Sequence, residues 1–193
     1  MLPMVVLAVA IGAAYANGMS GPLVLDDMFS FGANESIRNL TDWRAVLWPP
    51  SPLPTSGRPI LNLTFAVNHA VAGKSLAALH AVNVTIHGLA ALVLFLTVRR
   101  VFCLPGLRER LGEAAGGLSA AVAMIWALHP IQTAAVTYVS QRAESLMGLF
   151  YLLTLYGFLR GVAAPHRWRW HVLAVISCWI GMVPAGLGWR RRK

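Results

Sequence analysis

Apolar residues in this chain come in long blocks separated by polar connections, not in the narrow stripes of a soluble amphipathic helix. The first block, Leu2–Ala16, is apolar throughout. Small residues up to Ser20 extend it towards the roughly 20 residues a bilayer span needs. Further blocks predict spans at about 76–98, 117–138, 145–160 and 171–189. Between the first and second spans lies the one long polar region, a loop over about 18–75. It carries Asp26, Asp27, Glu35 and Asp42, then a run rich in Pro, Ser and Thr over Pro49–Pro59. Asn34-Glu35-Ser36 is suited to opening a short helix. From Arg58 to Leu79 the character is mixed, which predicts an interfacial or partly embedded helix ending in a turn at Gly73. Pro130 falls inside the third apolar block and cannot donate a backbone hydrogen bond. That helix therefore kinks there, or stops near Leu128 and leaves 130–141 as a second loop.

Composition supports the same class. Hydrophobic residues make up 57% of the chain and charged ones 12%, against about 25% charged in soluble domains. The expected fold is all-α, a polytopic membrane helical bundle of about four or five spans. The net charge of +9 could suggest nucleic acid, but the arginines cluster between apolar blocks, where cations hold the cytoplasmic ends of spans. No nucleic-acid partner is expected; the membrane lipid is. Cys103 and Cys178 provide neither a disulfide framework nor a metal spacing. No metal site and no cofactor are indicated, although a divalent cation is compatible with the sequence. Ala14-Tyr15-Ala16 would suit signal-peptide cleavage, yet no Lys or Arg precedes the block, so an uncleaved first span is the preferred reading.

The positive-inside rule assigns sides. The connection 99–116 holds Arg99, Arg100, Arg108 and Arg110, and the connection 160–171 holds Arg160, Arg167 and Arg169. Both are expected on the cytoplasmic side, which leaves 18–75 outside and the N-terminus inside. Arg190-Arg191-Arg192-Lys193 would then emerge outside if 171–189 crosses, which conflicts with the pattern.

Three groups could carry chemistry. Asp26-Asp27 follows the first span, and adjacent carboxylates repel when both ionise. Such a group can act as a general base on an acceptor hydroxyl; the alternative is a solvated acidic pair. His80, Asn83 and His87, at i, i+3 and i+7, share one helix face and could contact substrate or bond between helices. A metal on His80 and His87 is disfavoured because two turns separate them. Arg58, His129 and Arg142 lie at the expected outer surface, where an arginine suits a phosphate. A local Arg142–Glu144 pair and snorkelling are the alternatives for Arg142. Asn34, Asn39, Asn62 and Asn83 each head an Asn-x-Ser/Thr triplet, relevant only in a glycosylating compartment; Asn83 lies within a span.

Several motifs occur in an order that resembles one family. They are Leu25-Asp26-Asp27, Gly57-Arg58-Pro59, Leu63-Thr64-Phe65-Ala66-Val67-Asn68 and His80-x-x-Asn83-x-x-x-His87. Ala127-Leu128-His129-Pro130 and Tyr138-Val139-Ser140-Gln141-Arg142-Ala143-Glu144 follow. Over about residues 15–182 the chain resembles the N-terminal membrane part of the transmembrane and tetratricopeptide-repeat O-mannosyltransferases and their bacterial relatives, of the GT-C glycosyltransferase class. The resemblance implies sugar transfer from a polyprenyl-phosphate carrier to a hydroxyl acceptor, which can be a protein. The site would be extracytoplasmic, at a bacterial inner membrane or the ER membrane. It also implies Asp26 or Asp27 as the general base, with Arg58, His129 and Arg142 at the carrier phosphate or the site rim. Family members continue after a Gly-Met pair like Gly181-Met182 with a Lys-Glu segment, further spans and, in many, tetratricopeptide repeats. Val183–Lys193 departs from that pattern. The expectation is a membrane segment over 1–182 and a truncated or frame-shifted tail over 183–193, inactive alone. A non-enzymatic membrane scaffold is one alternative. A transporter fragment using Asp26 and His80 is the other, though its ionisable groups would be wanted near mid-membrane.

Overall fold

The computed structural model describes residues 2–163 and 167–186. Nine α-helices carry the fold among the described residues: α1 (Leu2–Tyr15), α2 (Trp43–Leu47), α3 (Pro59–Ala72), α4 (Leu76–Phe102), α5 (Pro105–Leu111), α6 (Ala115–Ala127), α7 (Gln132–Thr137), α8 (Arg142–Ala163) and α9 (Arg167–Gly186). No strand forms among the described residues. The chain is an all-α membrane helical bundle. Three of its helical stretches are long and apolar enough to cross a bilayer, Leu2–Ser20, Leu76–Phe102 and Arg142–Val162, and Ala115–Ala127 is a shorter apolar helix.

α4 is the central element and packs against α1, α6 and α8. Ser75 caps its start by accepting from the Ala78 amide at 3.3 Å. Gly73, at φ +58°, makes the reversal between α3 and α4 that glycine permits at no steric cost. α3 starts at Pro59, in the first-turn position where a missing N–H is harmless. α9 lies along α8 at close range. A Cβ on Gly157 would sit 3.1 Å from the Trp170 carbonyl and 3.2 Å from the Ala174 amide, so the two backbones touch through this residue.

The third apolar block differs from one of the two readings of its sequence. Its helix ends at Ala127, and after the His129-Pro130 break a separate short helix, α7, occupies Gln132–Thr137. Pro130 removes the donor that continuation would need. The carbonyls freed at this end find side-chain partners: Ala127 O accepts from His87 Nε2 at 2.9 Å and from Tyr15 Oη at 3.1 Å. The last apolar block is helical from Arg167 to Gly186. Most of the tail singled out in the sequence, 187–193, lies outside the described residues.

The long connection between the first two spans is built, not loose. Phe31, Ile37, Val46, Leu61 and Phe65 share a buried cluster with Leu79 and Val139, and the partly buried Leu23 packs against it. An amide network crosses it. Asn34 Nδ2 donates to Asn62 Oδ1 at 2.8 Å, Asn62 Nδ2 donates to Val46 O at 2.8 Å, and Asn34 Oδ1 accepts from Ser36 Oγ at 2.6 Å. Each buried amide is thereby paired, as burial requires.

Candidate active site

Asp26 and Asp27 are adjacent in sequence, but the fold separates their roles. Asp27 is 1% exposed, whereas Asp26 faces outward. The Asp27 carboxylate accepts from Ser140 N at 2.6 Å and Val139 N at 3.3 Å, with a longer approach from Val24 N at 3.4 Å. Asp27 therefore ties the first connection to the turn before α8, across more than 110 residues of chain. Both connections consequently meet on one face of the bundle. Leu25, just before the pair, holds φ +48°, a left-handed conformation that costs a branched residue free energy and recurs at functional sites.

Tyr138 opens the same turn. Partial desolvation, and then the carboxylates of Asp27 and Asp26, push its phenol above the ordinary tyrosine value. The phenol thus stays protonated at neutral pH.

Arg142 follows the turn and points inward. It is 0% exposed and surrounded by neutral acceptors. Nε donates to Asn83 Oδ1 at 2.7 Å; one terminal nitrogen donates to Leu79 O at 3.0 Å and Asn68 Oδ1 at 3.2 Å; the other reaches Thr64 Oγ1 at 3.4 Å. The guanidinium carbon lies 4.5 Å above the Phe65 ring, a cation–π contact. Asn83 is itself held, with Nδ2 donating to Val136 O and Tyr138 O, each at 3.2 Å. This removes both alternatives considered for Arg142. Arg142 forms no pair with Glu144, which is exposed, and it does not snorkel, because its head is the buried end. With its donors turned to α3 and α4, it acts as a pin between helices rather than as a surface phosphate grip.

The histidines of α4 are also committed. His80 donates Nε2–H to Gly21 O at 3.0 Å, which leaves its buried Nδ1 bare. His87 stacks on Trp126, with ring centroids 5.0 Å apart, and meets Tyr15 edge-on at 5.5 Å. His80, Asn83 and His87 share a face, but each bonds a different neighbour.

Arg58 and His129 do not join this set by any hydrogen bond. Arg58 is a half-buried cap of α3 without a side-chain hydrogen bond among the described residues. His129 is exposed and uses Nδ1 to accept from Ile131 N at 3.2 Å. Among the described residues no three His, Cys, Asp or Glu side chains converge as a metal site. Sequence reasoning passed over Tyr138, Asn68 and Thr64 as site-shaping groups. The family-like run at 63–68 was the available signal, since two of its polar residues, Thr64 and Asn68, lie on one helical face with Phe65 beside them.

The fold and site define a polytopic helical membrane protein with an acidic connection clamped to a turn over a buried arginine. No family model and no solved structure matches the chain. Curated relatives do. Protein O-mannosyl-transferase TMTC2 of Homo sapiens is 29% identical over 171 residues, covering 82% of this chain and 19% of the relative. Protein O-mannosyl-transferase TMTC1 of Mus musculus is 30% identical over 166 residues, covering 81% of this chain and 16% of the relative. Protein O-mannosyl-transferase Tmtc1 of Drosophila melanogaster is 29% identical over 155 residues, covering 76% of this chain and 17% of the relative. The chain is TMTC-like, and it spans less than a fifth of the length of these relatives.

Proposed function

We propose that the chain forms the donor-and-acceptor face of a GT-C-type glycosyltransferase, moving a mannose-like sugar from a polyprenyl-phosphate carrier to a hydroxyl of a protein acceptor. The observation that carries this reading is the division of labour at Asp26-Asp27: one carboxylate is buried and fully engaged, and its neighbour is exposed. In the proposed step Asp26 takes the acceptor hydroxyl proton while the hydroxyl oxygen attacks the anomeric carbon. The bond from that carbon to the carrier oxygen breaks, and the carrier phosphate leaves with the electron pair. Asp27 and Arg142 hold the surrounding backbone in place without touching the reacting atoms. The names of the relatives support the reaction class, and the motif order supports the choice of carrier. The connection 18–75 faces the exterior of a bacterial inner membrane or the lumen of the ER. The relatives are more than five times as long as the matched segment, so transfer is proposed for the chain joined to the remainder of such a relative.

The test is mannosyl transfer from a polyprenyl-phosphate sugar to an acceptor peptide in membranes. Two proteins are compared, the 193-residue chain and the same chain joined to the remainder of a full-length relative. The joined protein should transfer. Transfer by neither, with both inserted and folded, would overturn the transferase reading.

A further inference from the structure

A cavity of about 90 Å³ opens near the clamped connection, lined by Leu23, Phe31, Ile37, Arg38, His69 and Lys74, with Gly32 at its wall. Three of these carry cationic or proton-donating heads, and none is acidic. Among the described residues the side chains of Arg38, His69 and Lys74 make no hydrogen bond and no ion pair, so their donors are free, unlike those of Arg142. The floor is apolar and aromatic: Phe31 packs edge-on to Phe65, at 6.0 Å, and lies 6.1 Å from the His69 ring.

The position in the chain matters as much as the lining. Leu23 follows closely on the first span, which ends at Ser20, and Lys74 closely precedes the second, which begins at Leu76. The cavity therefore sits at the level of lipid headgroups. Between its lining residues the chain exposes apolar side chains that water would not favour, with Leu25 74%, Met28 52%, Phe29 58% and Val71 82% exposed. A cationic cavity on a segment that also exposes apolar residues fits a phosphoryl group carried on a hydrophobic tail better than a freely soluble anion. Its volume is sufficient for one phosphoryl group.

We infer that Arg38, His69 and Lys74 form a binding site for the phosphoryl headgroup of a membrane lipid, next to the Asp26-Asp27 segment. Two lipids offer that chemistry, the polyprenyl-phosphate carrier and bulk anionic phospholipid. Assignment to the carrier rests on the transferase reading, while the phosphoryl site itself does not.

Binding without transfer separates the two. The full chain in neutral phosphatidylcholine nanodiscs is titrated with polyprenyl monophosphate, uncharged polyprenol, phosphatidylglycerol or inorganic phosphate, with occupancy read by native mass spectrometry. Polyprenyl monophosphate should bind at least about tenfold tighter than polyprenol. Arg38→Ala with Lys74→Ala should remove that preference, Arg38→Lys with Lys74→Arg should retain it, and Arg44→Ala, outside the cavity, should leave it unchanged. Phosphatidylglycerol binding as tightly as the monophosphate supports the phosphoryl site and gives it to bulk lipid. Equal binding of polyprenol and its phosphate, or an unaltered preference in the alanine pair, would overturn the inference. Intact phosphate preference in a joined protein that transfers no sugar would instead sink the transferase reading alone.

Discussion

Replacing Arg142 by methionine keeps a long side chain of similar bulk in the same slot but removes every donor. The side-chain oxygens of Asn83 and Asn68 then lose their partners at 2.7 and 3.2 Å, and both groups are buried, while the Leu79 carbonyl keeps its bond within α4. A buried acceptor left bare costs about 1–3 kcal/mol, so these two together amount to about 2–6 kcal/mol. Part is offset because a desolvated cation no longer has to be held without an anion. Loss of the contact with Phe65 adds to the cost, by about 0.5–2 kcal/mol. For a protein of this size about 2–4 °C is lost per kcal/mol, so thermal unfolding in detergent should fall by at least about 4 °C. Arg142→Lys keeps the charge but not the planar fork, and should fall by less. Arg44→Met removes an exposed arginine and should shift the transition by no more than a degree or so. The reasoning fails if Arg142→Met melts with the wild type, because the guanidinium would then not be the pin between α3, α4 and α8.

Leu25 sits at φ +48° and is exposed, so Leu25→Gly should raise stability in denaturant titration by about 0.5–1 kcal/mol, and Leu25→Ile should lower it. Tyr15→Phe removes one of the two donors to the Ala127 carbonyl while His87 remains. A loss of about 0.5–1.5 kcal/mol is expected by the same titration. Of the four Asn-x-Ser/Thr triplets only Asn39 is exposed, and its Oδ1 accepts from the Thr41 hydroxyl at 2.7 Å. Translation into microsomes should add a single glycan that Asn39→Gln removes, and an unmodified product would place the connection on the cytoplasmic side.

Much of this architecture could be read from hydropathy, because a bilayer imposes length and apolarity on each span. The turn at Gly73 and the break at Pro130 were legible for a different reason: each residue's backbone permits or forbids one local geometry. The inside of the 18–75 connection was not. Asn34 and Asn62 look like surface triplets in sequence, yet each is buried and bonded to the other, a pairing 28 residues apart that no local pattern displays. The two aspartates were likewise indistinguishable, since their difference arises from backbone amides at 139 and 140. Arg142 was visible as a motif residue, but its direction depended on acceptors contributed by α3 and α4. Arg38, His69 and Lys74 are too far apart in sequence to suggest one cavity until Phe31 brings their elements together.

The central claim is that Asp26 performs the chemistry and Asp27 holds its surroundings. Mannosyl transfer by the joined protein, measured beside its melting temperature, tests this directly with two variants. Asp26→Asn should melt with the wild type and lose transfer by about 100-fold or more, the contribution of a positioned general base. Asp27→Asn should melt lower, because a neutral amide is a poorer acceptor for the Ser140 amide at 2.6 Å. Wild-type transfer by a folded Asp26→Asn protein would contradict the account.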